Sequence, residues 1–384
     1  NAFALPGGFI YVTRGIMTHL TNEAQLVGVL GHEIGHVTAR HSVNQMSKQQ
    51  LAQLGLGVGV ILSEDIAAVA DIAQAGLQIL TLKFSRDDES QADELGVRYM
   101  RRIDYDPRQL AAVMEMLQRS SQLQQGSGRV PEWLSTHPDP ANRIEHIDQL
   151  IAESGVDFSG ATVKRAPYLH TIDGMVFGPD PREGFFDGDV FHHPDLRFRI
   201  DFPPGWQKAN TKTAVQAVSG SEDALLALTL DEGTPASALD RFAAREGVSV
   251  GSVTAREING LSAALAPFSA QVEGGTLRGE VLFVSHRGTT YRFLGYTAEG
   301  RWSGYSGTID AALRSFRPET DPAILSVTPD RLSLVELDRS LPFDTFVDRY
   351  PSTVRPEIVA LINQVGDNAT LAAGTLAKRV RNGG

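Results

Sequence analysis

The chain has 384 residues, of which 42% are apolar and 21% charged, a composition typical of a folded globular protein with two or three domains. Its net charge of −11 argues against nucleic acid and anionic membrane surfaces as main partners. Because cysteine is absent, disulfides, thiolate metal sites and cysteine nucleophiles are excluded.

The start of the chain shows no targeting segment. Residues 1–3 (Asn-Ala-Phe) lack the basic residues that open a signal peptide, and they already have the pattern of a domain interior. We therefore expect the sequence to be incomplete at its N-terminus. No apolar run approaches the roughly 18 to 20 residues that a membrane-spanning helix needs, so no membrane span is expected in this chain.

The first 153 residues are predicted to be mainly helical, behind one edge strand. Residues 3–12 have a β-type composition that Pro6, Gly7 and Gly8 interrupt, as is typical of sheet edges. Thr21 is the predicted cap of the helix that follows. Helices are expected at residues 21 to about 54, 65–83, 85–102, from 106 through 117, and 141–151.

The rest of the chain is predicted to form two further domains. Residues 154–187 are rich in Gly, Pro and Asp and are interpreted as a linker. Residues 188–318 combine strands of period two with two helices, which predicts an α+β domain. After a second boundary that contains prolines, residues 325–384 are predicted to form a small α+β module. The predicted fold class is therefore a multidomain α+β protein.

The strongest chemical signal is the sequence His-Glu-Ile-Gly-His at residues 32–36. His32 and His36 are four residues apart, so on a helix their imidazoles share one face and can bind one Zn²⁺ without strain. Glu33 lies beside them, where it can act as a general base on water. The alternative is a helix with two surface histidines and a glutamate, but ten histidines in 384 residues make a chance match rare.

A catalytic zinc site needs a third protein ligand. Glu89 is the best candidate, because it lies on a helix with an acidic first turn that follows a helical hairpin. Spacing alone does not separate Glu89 from Asp87, Asp88 or Asp93. The alternative interpretation of these residues is a solvated, acidic helix N-terminus.

Four motifs together resemble the gluzincin zinc metallopeptidase family that includes the CAAX prenyl protease, HtpX and BepA. They are N-A-F-A-x-P-G-G at 1–8, H-E-x-x-H-x-x-x-R-H at 32–41, S-R-x-x-E-x-x-A-D-x-x-G at 85–96 and H-P-x-x-x-x-R-I at 137–144. The resemblance covers about residues 1–153, and the lack of membrane helices favours the soluble, BepA-like branch. It implies a mainly helical zincin-type peptidase domain that binds one Zn²⁺ per chain.

The resemblance also implies roles for individual residues. Glu89 corresponds to the third zinc ligand, and Asp93 to the residue that orients a ligand histidine. His137 and Arg143 are expected either to stabilise the oxyanion or, for His137 alone, to occupy the fourth ligand position in a resting state. The other histidines, His41 among them, are expected to be surface or packing residues.

An extended peptide substrate is expected to pair with the free edge of the N-terminal strand. Unpaired backbone groups at such an edge can be completed by an added strand. The residues expected to bind the substrate are Gly8, Phe9, Ile10, Tyr11 and Val12.

The predicted function is a zinc endopeptidase that cleaves misfolded or envelope proteins, and the resemblance implies a periplasmic location. Residues 188–318 resemble a PsbP-type domain in their element order. Residues 325–384 resemble a degenerate LysM module, which implies peptidoglycan as a partner; the alternative for them is a cap used for packing. Two other functions fit the whole sequence, namely a chaperone or assembly factor with residual protease activity and a glycan-anchored scaffold.

Overall fold

The computed structural model describes residues 1–5, 7–44, 84–124, 137, 140–211, 213–272 and 275–383. Of these, residues 1–44, 84–179 and 329–383 form one compact unit, unit 1, and residues 180–328 form a second, unit 2. Helices and several sheets build both units, so the predicted multidomain α+β class is confirmed. Within the described ranges, no helix has the length and apolar character needed to cross a bilayer.

The N-terminal part of unit 1 consists of a β-hairpin followed by helices. Gly7 and Gly8, with φ of 96° and 86°, form the hairpin turn at the predicted break in the strand. The predicted helix at 65–83 lies outside the described residues. The elements are β1 Ala2–Leu5, β2 Phe9–Val12, α1 Arg14–His19, α2 Glu23–Thr38, α3 Arg86–Arg102, α4 Arg108–Gln124, α5 Pro140–Glu153 and α6 Arg165–Ile172.

Both ends of α2 differ from the prediction. The predicted cap at Thr21 is wrong, because the Asn22 side chain accepts a hydrogen bond from the Gln25 backbone N–H at 2.9 Å and the helix begins one residue later. The helix also ends at Thr38 instead of near residue 54. Arg40 adopts the left-handed φ of 58°, which interrupts the helical hydrogen bonds before a new helical turn at 41–44. Residues 45–54 lie outside the described part.

Small residues let α2 and α3 approach closely. A β-carbon at Gly31 would lie 3.3 Å from the Gly96 Cα, and one at Gly35 would lie 3.0 Å from the Ala92 Cα. These positions recur along one face of each helix, so the two backbones contact each other directly. The close packing brings the face of α3 that carries Glu89 against the histidines of α2.

Unit 2 is built on an eight-stranded antiparallel sheet with a helix packed on each face. A four-stranded sheet packs against one of these faces together with the helix Trp302–Arg314, and its strand order is Arg317–Pro318, Phe198–Asp201, Val190–His193 and Phe185–Asp187. The elements are β3 Phe185–Asp187, β4 Val190–His193, β5 Phe198–Asp201, β6 Gln207–Asn210, β7 Val215–Val218, β8 Ala224–Asp231, α7 Pro235–Ala243, β9 Val248–Val250, β10 Ala255–Ile258, β11 Leu261–Val272, β12 Gly275–His286, β13 Thr289–Ala298, α8 Trp302–Arg314, β14 Arg317–Pro318 and α9 Pro322–Leu325.

The chain returns to unit 1 in its last part, which we call the C-terminal segment (residues 329–383). Its strands Asp330–Glu336 and Leu376–Asn382 pair in antiparallel fashion. The predicted domain boundaries and the LysM-like character of this part stay predictions. The elements are β15 Asp330–Glu336, β16 Leu341–Pro342, α10 Phe343–Arg349, α11 Pro356–Asn363, β17 Thr370–Leu371 and β18 Leu376–Asn382.

Candidate metal centre

Four side chains from separate parts of unit 1 converge on one point. His32 and His36 extend from α2, Glu89 from the first turns of α3, and His137 from the chain just before α5. One potential ligand atom from each lies within 4.8 Å of the others, and all four residues are buried. Among the described residues, these four side chains form the cluster that could hold a metal ion.

The distances between donor atoms of these four side chains, measured to either carboxylate oxygen of Glu89, are close to those between the ligand atoms of a tetrahedral ion. His32 Nε2 lies 3.0 Å from His36 Nε2, 3.3 Å from His137 Nδ1 and 3.5 Å from Glu89 Oε2. Glu89 Oε1 lies 2.9 Å from His137 Nδ1 and 3.5 Å from His36 Nε2. Ligand atoms about 2.0–2.1 Å from a tetrahedral zinc ion are about 3.3 Å from one another. The residues present therefore fit a zinc ion.

Asp93 determines which ring nitrogen of His32 carries the proton. Its Oδ1 lies 2.9 Å from His32 Nδ1, and because a carboxylate only accepts, Nδ1 donates and Nε2 keeps its lone pair for the metal. Asp93 follows Glu89 by one helical turn on α3, so one helix face supplies both the carboxylate of the cluster and the residue that orients His32.

His41 does the same for His36, a role that the sequence analysis missed. His41 Nε2 donates to Gln91 Oε1 at 2.9 Å, so its Nδ1 accepts from His36 Nδ1, also at 2.9 Å. His36 Nε2 is thereby left with its lone pair. The expectation that His41 is a packing or surface residue is incomplete: it is 3% exposed, but it packs against the metal cluster. The available signal was the Arg-His pair that ends the H-E-x-x-H-x-x-x-R-H motif.

The start of α3 explains why Glu89 rather than its acidic neighbours joins the cluster. Ser85 and Asp88 form a reciprocal capping box, with Oγ–N and Oδ2–N distances of 3.2 and 3.1 Å, so the Asp88 carboxylate is used at the helix end. Asp87 is exposed, and Asp93 contacts His32. Glu89 is buried and faces α2.

Arg143 binds both carboxylates of α3. Its Nε and one terminal nitrogen donate to Asp93 at 2.8 and 2.7 Å, and the other terminal nitrogen lies 2.8 Å from Glu89 Oε2. The bidentate geometry fixes the Asp93 carboxylate toward His32. Burial would lower the pKa of Arg143, but Asp93 and Glu89 raise it above its ordinary value.

The charges in the cluster are strongly coupled. Burial would raise the pKa of Glu89, but the charges of His137 and Arg143 hold it well below its usual range. Burial would lower the pKa of His137, yet the Glu89 carboxylate raises it above its ordinary value. Burial, with the nearby charge of His137, lowers the pKa of His36 to about 3, which keeps this imidazole neutral and able to bind a metal.

Glu33 faces a small cavity next to the cluster. Its Oε1 is buried without a hydrogen-bond partner in the part of the chain that the structure describes, and it lies 3.7 Å from His137 Nε2. The cavity, of about 10 Å³, has room for about one water molecule. It is lined by Phe3, Ala4, Glu33, His36, Ser42, Phe84 and His137.

The structure brings together the predicted ligands, Glu33, Asp93 and Arg143, but not the predicted substrate strand. Gly8, Phe9, Ile10, Tyr11 and Val12 do not line the cavity, whereas Phe3 and Ala4 of β1 do. Phe9 and Tyr11 are 64% and 48% exposed, so their side chains are accessible on the hairpin.

Unit 1 thus brings the two histidines of an H-E-x-x-H sequence together with a glutamate from a second helix, the arrangement of a zincin-type metallopeptidase. Residues 1–151 match the model of Peptidase family M48, so this part of the chain is similar to that family. The resemblance to the family of the CAAX prenyl protease, HtpX and BepA is thereby confirmed.

The chain matches curated relatives over the same region. It is 33% identical to the mitochondrial metalloendopeptidase OMA1 of Bos taurus over 162 residues, 40% of this chain and 31% of the relative. It is 31% identical to the beta-barrel assembly-enhancing protease of Escherichia coli K12 over 175 residues, 41% of this chain and 35% of the relative. The chain therefore spans about a third of the length of these relatives.

Among solved structures, the cyanobacterial PsbP of Synechocystis matches with 18% identity and a TM-score of 0.29, over 35% of this chain and 94% of that chain. A score at this level assigns no fold. The PsbP-like character of residues 188–318 stays a prediction.

Proposed function

We propose that the chain is a zinc-dependent endopeptidase in which Glu33 acts as the general base. The observation that carries this proposal is the buried Glu33 Oε1, which accepts no hydrogen bond from the described residues and lies beside four potential ligand atoms within 4.8 Å of one another. The M48 family match and the metalloendopeptidase names of the relatives support it.

His32, His36 and Glu89 would hold the ion, and a nitrogen and oxygen donor set of this kind suits zinc. When bound, the ion supplies Lewis acidity, which polarises the peptide carbonyl and makes water a stronger acid. Asp93 and His41 keep the two imidazoles in the tautomers that present Nε2.

Glu33 then moves the proton. Its Oε1 accepts a proton from the attacking water and returns it to the nitrogen of the leaving amine, so that peptide and water give a carboxylate and an amine. Burial beside the imidazole of His137 places this oxygen at the cavity where one water fits. Arg143 holds the carboxylates of Glu89 and Asp93, and an additional oxyanion contact is part of the proposal.

His137 occupies the fourth ligand position in the proposed resting state. Its Nδ1 lies 2.9 Å from Glu89 Oε1 and 3.3 Å from His32 Nε2, inside the ligand set. With His137 there, no position remains for water, so activity requires that His137 move away. In the open state its imidazole would face the developing oxyanion.

The proposed substrate is a misfolded or envelope protein that binds as an extended strand. The hairpin of β1 and β2 offers edge backbone groups, with Gly8, Phe9, Ile10, Tyr11 and Val12 on β2 and its turn, and Phe3 and Ala4 at the cavity. The proposed periplasmic location rests on the resemblance to the BepA-like branch, and the E. coli relative is a protease named for beta-barrel assembly. Peptidoglycan binding by residues 325–384 stays a prediction.

Metal analysis combined with casein digestion tests the proposal. We expect one Zn²⁺ per chain and hydrolysis that a chelator abolishes. Glu33→Gln should keep the metal and lose hydrolysis, because it removes the base and no ligand. Glu94→Gln, at an exposed position on α3, is the matched control and should behave as the parent chain. Near-normal turnover of Glu33→Gln would overturn the assigned mechanism.

A further inference from the structure

The C-terminal segment caps the end of helix α1. Lys378 Nζ donates to the backbone carbonyls of Thr18 at 2.8 Å and Leu20 at 2.7 Å, and Gln364 Nε2 donates to that of His19 at 3.1 Å. The last carbonyls of a helix have no partner within the helix and need one from elsewhere. Here three such acceptors in a row are satisfied by residues that lie more than 340 positions further along the chain.

The same segment also forms hydrogen bonds with the first turn of α2. Gln25, in the first turn of α2, and Gln364 bind each other reciprocally, with Nε2–Oε1 distances of 2.7 and 3.0 Å. Gln25 Oε1 also accepts from the backbone N–H of Thr21 at 2.7 Å. His32 follows Gln25 by two helical turns. The contact therefore fixes the α1–α2 corner (residues 18–25), from which the metal-binding half of α2 extends.

Apolar packing continues the contact. Leu332, Leu361, Ile362 and Val380 of the C-terminal segment belong to the same buried core as residues of α2 and α4. These four side chains are at most 1% exposed. Removal of the segment would therefore expose the core of unit 1 as well as the end of α1.

Lys378 is an unusual residue to find in such a contact. It has no exposed surface, and its burial, aided by the charge of Arg165, lowers its pKa well below the ordinary value. A buried amine costs free energy unless its donors are used, and here two backbone carbonyls use them. The position is thus specific for a long donor, which a merely apolar contact would not need.

The chain also leaves and re-enters unit 1 at neighbouring points. The backbone of Gly174 donates to Leu332 at 3.0 Å, Leu332 donates to Met175 at 2.8 Å, and Phe177 donates to Asp330 at 2.8 Å. Residues 180–328 lie between these two paired stretches in the sequence. An insertion with adjacent ends leaves the host fold continuous.

We infer that the C-terminal segment is an integral part of the fold that carries the metal site, that it supports the end of α1 and the first turn of α2, and that residues 180–328 are inserted into this fold. Lys378 and Gln364 are positioning residues that hold the N-terminal end of the metal helix. The inference concerns the fold that carries the metal site, and it goes beyond the proposed hydrolysis without depending on it.

A first experiment cuts the folded chain. Recognition sites for a specific protease are inserted after Pro179 and after Ser326 in the full chain, and the purified protein is cleaved in its native state. We expect the fragment that contains residues 329–384 to co-elute with the fragment that contains residues 1–179 in gel filtration. Elution of the C-terminal fragment on its own would overturn the inference.

A second experiment measures hydrogen exchange in full-length, metal-free variants. Lys378→Met leaves the carbonyls of Thr18 and Leu20 without donors, so the protection of α2 amides should fall by about 10- to 100-fold. Gln364→Asn is a milder second variant, since Asn tolerates the left-handed φ of 54° but is too short for the contact. Arg381→Met, at an exposed position on the same strand, is the control and should change nothing.

The strands of unit 2 provide the internal reference. We expect the amides of β11 and β12 to keep their protection in all three variants. Should Lys378→Met fail to fold in unit 1, loss of amide protection in unit 1 with protection retained in unit 2 supports the inference. Unchanged protection of α2 in both Lys378→Met and Gln364→Asn would overturn the inference. So would a C-terminal segment that exchanges as a unit separate from α1 and α2 in the parent chain.

Discussion

His41 Nδ1 lies 2.9 Å from His36 Nδ1 and accepts its proton, while His41 Nε2 donates to Gln91 on the neighbouring helix. The contact exists because the chain leaves the helix at Arg40 and turns back over α2. The tautomer of His36 is thus set by a residue five positions later.

Replacement of His41 should therefore weaken metal binding without removal of a ligand. In His41→Ala we expect the affinity for Zn²⁺ to fall by about 10- to 100-fold, because His36 loses the partner that fixes its tautomer and ring orientation. Competition with a chromogenic chelator measures this. His170→Ala, at an exposed histidine, should bind zinc as the parent chain does. Equal affinities in the two variants would contradict the role given to His41.

The third ligand is tested by a pair of acid-to-amide changes on α3. Glu89→Gln should lose zinc during mild dialysis against a chelator, because a neutral amide is a poor ligand. Asp87→Asn changes the charge by the same amount at an exposed position and should retain the metal. Atomic absorption after dialysis separates the two outcomes. Full zinc occupancy in Glu89→Gln would place the third ligand elsewhere.

The parts of the site that depend on local geometry could be predicted from the sequence. His32, Glu33 and His36 lie on one helix, and the helical period alone brings the two imidazoles together. The choice between Glu89 and its neighbours was different, because it depends on how α3 packs against α2. The small residues Gly31 and Gly96 decide that packing, and their effect appears only in three dimensions.

Two features depend on three-dimensional contacts whose geometry the sequence does not record. The role of His41 follows from the left-handed conformation of Arg40, a residue type with no preference for that region. The contact of Lys378 with Thr18 joins residues at opposite ends of the chain, and no periodic pattern records such a pairing. A lysine in a strand is ordinarily interpreted as a solvated side chain.

The close approach of α2 and α3 gives a prediction on stability. Gly35→Val should lower the free energy of unfolding by about 1–3 kcal/mol, since even a β-carbon would lie 3.0 Å from Ala92 Cα and the added methyl groups must displace α3. Ile34→Val, at the exposed neighbour, is the control for a valine outside the contact between the two helices. Urea denaturation measures both. Stability equal to that of Ile34→Val would show that the helices are not limited by this contact.

His137→Ala distinguishes the two roles proposed for this residue. If His137 closes the site at rest, its removal should raise the rate of casein hydrolysis or cause self-cleavage. If it mainly stabilises the oxyanion, the rate should fall by about 10²-fold or more. The short distances from its Nδ1 to Glu89 and His32 favour the first outcome. Rates are compared at saturating zinc, and self-cleavage is followed on gels.

The buried amine of Lys378 gives a prediction on pH dependence. Burial, with the charge of Arg165, lowers its pKa well below the ordinary value of about 10.4. Between these two pKa values the unfolded chain binds a proton that the folded chain does not. The contribution of Lys378 to the free energy of unfolding therefore rises with pH throughout this window and is fully present only above the ordinary pKa.

Lys378→Met removes this titration. We expect the free energy of unfolding of the parent chain minus that of the variant to increase from about pH 7 to 10, by at most about 1.4 kcal/mol per pH unit. Urea denaturation followed by far-ultraviolet circular dichroism measures the difference, and Arg381→Met is the control with no such slope. A difference that stays constant over this range would mean that Lys378 keeps its proton in the folded state.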